Sequence, residues 1–119
     1  MPSKSPARAA RYARRRKKRM AQQDHDLTDP QWSALKSHWS GCAYCGAKDA
    51  APQKDCMLPI SRGGRYTLTN VVPACRSCNA SKCNSELTTW MRRKKLDERT
   101  FLERQVAISR ALVQEFSVS

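Results

Sequence analysis

The sequence predicts one small α+β domain that is preceded by a basic segment. Apolar residues recur at helical spacing before residue 40 and again after residue 85, and short β-prone stretches lie between these regions. Two Cys-x-x-Cys pairs bracket the β-prone stretches. The expected order is therefore helix, strand, strand, helix and further helices, which is typical of α+β domains.

The basic segment comprises residues 1–23, and a single domain is expected over residues 24–119. The chain carries a formal net charge of +13, and residues 1–23 contain nine Lys or Arg and no acidic residue. The rest has fourteen basic and ten acidic residues, a net charge of +4. Such an arm is expected to be disordered alone and to bind a polyphosphate such as DNA. A solvated tail without a partner and a membrane-bound arm are the alternatives. The predicted DNA-binding residues of the arm are Arg14, Arg15, Arg16, Lys17, Lys18 and Arg19.

Hydropathy gives no sign of a membrane or export segment. The sequence has no run of 18 apolar residues, and no apolar stretch follows the basic N-terminus. We therefore expect an intracellular, cytoplasmic protein that associates with DNA and has no membrane partner.

The first helix of the domain is expected between Asp29 and Gly41. Asp29 is the predicted N-cap, and Pro30 would take the first helical position. Trp32, Leu35 and Trp39 recur at helical spacing, so we expect the two tryptophans to pack in the core rather than to stack on bases.

The remaining elements follow from shorter patterns. A strand is predicted over residues 53–58, a loop over 59–64, and a second strand within 66–74. One helix is expected after CRSCN (residues 75–79), a second within 85–96, and a third from Asp97 or Glu98 onward. The predicted apolar face of the third helix consists of Phe101, Leu102, Val106, Ile108, Leu112, Val113 and Phe116.

The cysteines predict a structural zinc site. Cys42 with Cys45, and Cys75 with Cys78, each have the two-residue spacing that lets both thiolates of a pair reach one ion. Four thiolates close a tetrahedral site, which indicates a structural rather than a catalytic metal. A redox dithiol pair and an iron–sulfur cluster are the alternatives.

The segment from the first to the second cysteine pair resembles the HNH endonuclease family in its four-cysteine, zinc-bearing form. The resemblance covers about residues 32–84 and rests on the order of the motifs CAYCG, KDCMLPISRGG, TLTN, VVPACRSCN and the lysine that follows. It implies a ββα-metal fold, a core of two strands and one helix around a catalytic divalent ion, flanked here by the N-terminal and C-terminal helices.

The resemblance also implies roles for single residues. Asp55 would bind the catalytic ion, Asn70 would orient the general base across the loop, and Asn79 would supply a second metal ligand. A carboxylate and an amide oxygen suit Mg²⁺ or Mn²⁺. Gly63 and Gly64 would allow a tight turn or a close approach to DNA. The predicted phosphate-binding residues of the domain are Arg62, Arg65 and Lys82.

The sequence departs from the family pattern at Cys56, where the resemblance implies the general-base histidine. The two histidines, His25 and His38, lie outside the motif. Three interpretations are open: the thiolate of Cys56 is the base, no side chain is the base, or cleavage has been lost.

Cys83 follows Asn79 by four residues, so the two would share a helix face if the helix continued. This spacing suggests the hypothesis that Cys56 and Cys83 join Asp55 and Asn79 around one ion, which would then be softer than Mg²⁺. The alternative is that Cys83 packs as a small apolar residue.

The sequence therefore predicts a metal-dependent DNA endonuclease. A non-catalytic, zinc-containing nucleic-acid-binding module and a zinc-containing protein-interaction domain of a DNA-processing assembly are the alternatives.

Overall fold

The computed structural model describes residues 27–48 and 51–117, so the basic arm and its predicted DNA contacts lie outside the described residues. The elements are helix α1 (Asp29–Trp39), strand β1 (Gln53–Cys56), a short 3-10 helix (Ile60–Arg62), strand β2 (Val71–Ala74) and helices α2 (Arg76–Lys82), α3 (Leu87–Arg93) and α4 (Glu98–Phe116). This order confirms the predicted α+β class. Helix α2 begins at Arg76, earlier than the predicted start after residue 79, because Cys75 is its N-cap. No helix in the described ranges combines the length and the apolar character needed to cross a bilayer.

Helix α1 is capped by Thr28 and not by Asp29, the predicted N-cap, so the helix begins one residue earlier than expected. The Thr28 hydroxyl accepts a hydrogen bond from the Gln31 amide at 3.2 Å, and the Gln31 side chain accepts one from the Thr28 amide at 2.9 Å. This reciprocal capping box makes Thr28 the N-cap and places Asp29 in the first turn, where its charge favours the helix dipole. The helix ends at Trp39, because Ser40 takes a left-handed conformation with φ 56°.

The two strands form an antiparallel pair in which Gln53 lies opposite Ala74 and Cys56 lies opposite Val71. Strand β1 is shorter than the predicted 53–58, because the chain turns after Cys56. All four residues of β2 are buried. The carbonyl of Pro73 accepts a hydrogen bond from the Ala43 amide at 2.8 Å, so the first cysteine turn is fixed to the second strand.

Helix α4 packs on the domain through only part of the predicted apolar face. Phe101, Ile108 and Leu112 are buried, and Phe116 is partly buried. Leu102, Val106 and Val113 are exposed, so the prediction that all seven residues form the core is wrong for these three. At about 100° per residue the seven residues span an arc of about 160°, and the body covers only the side of that arc that carries Phe101, Ile108 and Leu112.

Aromatic side chains join the helices to the first cysteine turn. Trp39 stacks on Phe101 with ring centroids 5.5 Å apart, and Tyr44 lies 5.2 Å from Phe101. Tyr44 also meets Trp90 edge to face at 5.1 Å. Trp39 is therefore a core residue as predicted, whereas Trp32 is only half-buried. The packing holds the Tyr44 ring so that its hydroxyl points toward β1.

Candidate functional site

The four cysteines of the two pairs form one cluster. Cys42 and Cys45 lie in the turn after α1, and Cys75 and Cys78 lie at the start of α2. Their four sulfur atoms are all within 4.8 Å of one another. The Cys45 and Cys75 sulfurs are 3.7 Å apart. Metal–sulfur bonds of about 2.3 Å in a tetrahedron give sulfur–sulfur edges of about 3.8 Å, so the cluster has the dimensions of a Cys₄ zinc site.

Asp55 is the centre of a buried group of polar side chains, separate from the cysteine cluster. Its side chain is buried on β1, and its Oδ2 accepts a hydrogen bond from the Tyr44 hydroxyl. The same Oδ2 lies 3.3 Å from the Nζ of Lys82, which is fully buried at the end of α2. Burial raises the pKa of Asp55, and the contacts with Tyr44 and Lys82 act against that rise.

Lys82 therefore has an internal role that the sequence did not predict. Its ammonium donates a hydrogen bond to the Cys56 carbonyl at 2.9 Å in addition to its contact with Asp55. With no exposed surface, it cannot contact a nucleic-acid phosphate in this conformation. The prediction of Lys82 as a DNA-binding residue is corrected accordingly, because its charge is used inside the domain to compensate a buried carboxylate.

Cys56 is a buried thiol beside this group. Its sulfur lies 3.8 Å from the Arg65 carbonyl, to which the thiol donates. Burial raises the pKa of Cys56 from 9.0 to about 11, and the charge of Asp55 adds to the rise while that of Lys82 opposes it. At neutral pH the side chain is consequently a neutral thiol and a poor proton acceptor.

Asn70 holds the loop between the strands. Its side chain accepts a hydrogen bond from the Leu58 amide at 2.9 Å and donates to the Leu58 carbonyl at 3.1 Å and to the Arg65 carbonyl at 2.9 Å. The last of these carbonyls is the one that Cys56 contacts, so Asn70 and Cys56 are linked through a shared acceptor. Gly64 lies inside the same loop, and a Cβ there would come within 1.7 Å of the Leu58 carbonyl oxygen. The glycine is required by this tight turn.

Asn79 faces β1 from helix α2. Its side-chain amide donates to Oε1 of Gln53 at 2.5 Å. Gln53 and Asp55 are two residues apart on the strand, so both point to the same side of the hairpin. Asn79 and Asp55 are thus brought to one side of the hairpin, as their predicted roles require, whereas the role of Gln53 was not predicted.

Cys83 does not lie in the site with Asp55 and Asn79. Helix α2 ends at Lys82, and Cys83 takes φ 47° as its C-cap, exposed to solvent. Among the described residues, the group of His, Cys, Asp and Glu side chains close enough to share an ion consists of Cys42, Cys45, Cys75 and Cys78. The hypothesis of a site with two further sulfurs is therefore wrong, because the helix does not continue through Cys83.

The donors of the Asp55 site suit a divalent cation in type but not in their arrangement. Asp55 and Asn79 provide the oxygen donors that Mg²⁺ and Mn²⁺ prefer. In the described conformation, however, the Lys82 ammonium and the Tyr44 hydroxyl both contact Oδ2 of Asp55. A divalent cation at that oxygen would meet a full positive charge at contact distance. The site as packed does not fit a divalent cation.

Exposed basic side chains occur at several places on the domain, and two of these places adjoin β1. Arg62 and Arg65 are exposed on the loop, and Arg62 also donates to the Asn84 carbonyl at 3.2 Å. On the other side of β1, the Nζ atoms of Lys36 and Lys54 lie 5.5 and 5.7 Å from the ring centroid of Trp32. We call these three residues the Trp32 surface, which the sequence did not predict.

A cleft of about 730 Å³ lies beside α1 and adds to the basic character of that side. Its lining includes Lys36 and Lys48, and the Lys48 ammonium donates to the Ser40 hydroxyl at 3.1 Å. The cleft is open to solvent, in contrast to the buried Asp55 site.

Comparison with known proteins supports the family resemblance that the order of the motifs indicates. Residues 42–96 match the HNH endonuclease family. A relative in Bacillus subtilis (strain 168), YoqL, is 31% identical over 86 residues, and its name gives it as an inferred, SPbeta prophage-derived HNH endonuclease. That alignment covers 63% of this chain and 37% of the relative, so the chain spans less than half of the relative's length. No solved structure matches the chain. Over residues 42–96, which carry the cysteine cluster, the β-hairpin and helix α2, the chain is similar to the HNH endonuclease family.

Proposed function

We propose that the protein is an HNH-type endonuclease that hydrolyses phosphodiester bonds in DNA. The observation that carries this proposal is the placement of Asp55 and Asn79 on facing elements, β1 and α2, within a segment that matches the family. The family relationship supports a nucleic-acid substrate, and the net charge of +13 supports a polyanionic one.

The residues of the site have separable roles in this proposal. Arg62 and Arg65 on the exposed loop would hold phosphates on either side of the cleaved bond. Asn70 would fix the loop that carries Arg65. Asp55 and Asn79 would supply the polar side chains of the reacting centre. Cys56, as a neutral thiol, would not remove a proton from the attacking water at neutral pH.

The zinc-site cysteines would have a structural role. Zn²⁺ on Cys42, Cys45, Cys75 and Cys78 would join the turn after α1 to the start of α2. Because these elements carry Tyr44 and Asn79, the metal would hold in place the two side chains that bind Asp55 and Gln53 of β1.

The test is a time course of supercoiled-plasmid cleavage in Mg²⁺, in Mn²⁺ and in EDTA. We expect nicking that depends on a divalent cation for the wild type and none for Asp55→Asn. Asp29→Asn is the matched control, because it removes an exposed carboxylate on α1 and should cleave like the wild type. Zinc content and circular dichroism of each variant establish that it is folded.

A second function is favoured by one observation, the neutral and buried thiol at Cys56. If the loss of the histidine has abolished cleavage, the domain is a nucleic-acid-binding module. Retarded plasmid on a gel, without nicking in any metal, would establish that function and refute the endonuclease.

A further inference from the structure

We propose that the Lys82 ammonium is the resident cation of the Asp55 carboxylate and that it competes with divalent metal ions for this site. This inference rests on the proposed function for its relevance to catalysis. The contacts that carry it are independent of cleavage.

Burial sets this pair apart from the other ion pairs of the domain. Asp55 and Lys82 are the buried charged residues of the described chain. The other ion pairs among the described residues, Arg92–Glu98 and Arg99–Glu103, have largely exposed arginines. A buried charge requires a partner of opposite sign, and each member of the Asp55–Lys82 pair supplies it for the other.

The charges at the site are already balanced. One carboxylate and one ammonium leave this internal space neutral. A divalent ion added beside Lys82 would leave two excess positive charges away from water, which is strongly unfavourable. The ion can gain Asp55 only when the Lys82 side chain leaves.

Lys82 is also anchored by a second acceptor. Its ammonium is bound by the Cys56 carbonyl at 2.9 Å as well as by Asp55. The Tyr44 hydroxyl, positioned by Phe101 and Trp90, occupies the same carboxylate oxygen. A divalent ion at this oxygen must therefore displace a bound cation, which predicts weak metal binding by the wild type.

The experiment measures Mn²⁺ binding to the zinc-loaded full chain by electron paramagnetic resonance of free Mn²⁺. Lys82→Gln removes the charge and keeps a hydrogen-bond donor. We expect it to bind Mn²⁺ more tightly than the wild type by about tenfold or more, because a neighbouring cation at this range weakens the binding of a second cation to a carboxylate by that order. The double variant Asp55→Asn with Lys82→Gln should return to the wild-type level. Equal binding by the wild type and Lys82→Gln would overturn the proposal.

A second measurement uses the wild type alone and does not depend on the folding of a variant. Lysine amines are reductively methylated with and without saturating Mn²⁺, and the products are mapped by mass spectrometry. Lys82 should be protected without Mn²⁺ and should react when Mn²⁺ is bound. Protection that persists while Mn²⁺ binds in an Asp55-dependent manner would refute the competition. Neither measurement reads cleavage, so a failure of the endonuclease proposal would be seen separately as an absence of nicking.

Discussion

Cys56 shows how one buried side chain limits the chemistry of this domain. The thiol contacts the Arg65 carbonyl, and its backbone carbonyl binds Lys82, so both ends of the residue are engaged. Its sequence neighbour Asp55 raises its pKa further. A buried thiol with a raised pKa accepts protons poorly at neutral pH. Cys56 is therefore expected to have a packing role rather than a catalytic one.

Replacing Cys56 with histidine should increase cleavage. An imidazole has an ordinary pKa of about 6.5 and can accept a proton at neutral pH. General-base catalysis contributes about 10²–10⁴-fold, so we expect Cys56→His to nick plasmid at least about a hundredfold faster than the wild type. Cys56→Ala, the matched control, should nick at the wild-type rate. A large decrease in Cys56→Ala would show instead that the thiol takes part in the reaction.

The raised pKa of Cys56 predicts a pH-dependent reactivity. Iodoacetamide reacts with the thiolate, so alkylation of Cys56 should remain slow at pH 8 and increase up to pH about 11. The folded pKa lies above the ordinary 9.0. The contribution of the neutral thiol to stability is therefore complete below pH 9 and lost as the pH rises through about 11. Mass spectrometry of zinc-loaded protein over a pH series would measure the alkylation, with the exposed Cys83 as internal reference, and urea denaturation over the same series would measure the stability. Rapid alkylation of Cys56 at pH 7 would contradict the assignment.

At the scale of single elements, the cysteine turn and the start of helix α2 meet at the four-cysteine cluster, which could hold one metal ion. Cys42→Ser should lower the zinc content and unfold the domain, because zinc binding contributes about 10 kcal/mol or more to folding in small zinc domains. Cys83→Ser changes a cysteine outside the cluster and should retain one zinc per chain. Metal analysis and circular dichroism measure the two outcomes. A reduced zinc content in Cys83→Ser would mean that the exposed thiol takes part in metal binding.

Helix α4 offers a matched pair of substitutions on its two faces. Leu112 is completely buried, so Leu112→Ala should lower the free energy of unfolding by about 2–5 kcal/mol. Val113 is 44% exposed, and Val113→Ala should change that energy by about 0.5 kcal/mol or less. Urea denaturation of zinc-saturated protein provides both values. Similar decreases in the two variants would mean that Val113 packs against a surface that the described chain does not show.

The same helix shows what could be predicted from sequence and what could not. Its existence and a start at Asp97 or Glu98 followed from the sequence pattern, and the structure makes Asp97 the N-cap and Glu98 the first helical residue. Its buried face did not follow, because Leu102 and Val113 are as apolar as Leu112. The cysteine cluster was predictable from two-residue spacing. The Tyr44–Asp55–Lys82 group was not, because residue type alone does not tell which lysine is internal.

At the scale of the whole molecule, charge is divided unequally between the arm and the domain. Deleting residues 1–23 removes nine basic residues of the chain's twenty-three. DNA binding by the shortened chain should be weaker and less dependent on salt. In a plot of log affinity against log salt concentration, the slope changes by about 0.9 for each phosphate that the protein no longer neutralises. If each of the nine basic residues neutralises one phosphate, the deletion would change the slope by about eight. Fluorescence anisotropy of labelled DNA over a salt series measures the slope; an unchanged slope would assign binding to the domain alone.

The unequal burial of the three tryptophans gives the protein an internal optical probe. Trp39 and Trp90 are 2% and 1% exposed, so iodide and other aqueous quenchers should not reach their emission. Trp32 is half-buried between Lys36 and Lys54. A polyanion that draws these two ammonium groups away from the indole would change the emission of Trp32 and leave the other two constant. The wavelength and the quenchable fraction of the emission would then report whether nucleic acid lies on the Trp32 surface or elsewhere on the domain, without any label on either partner.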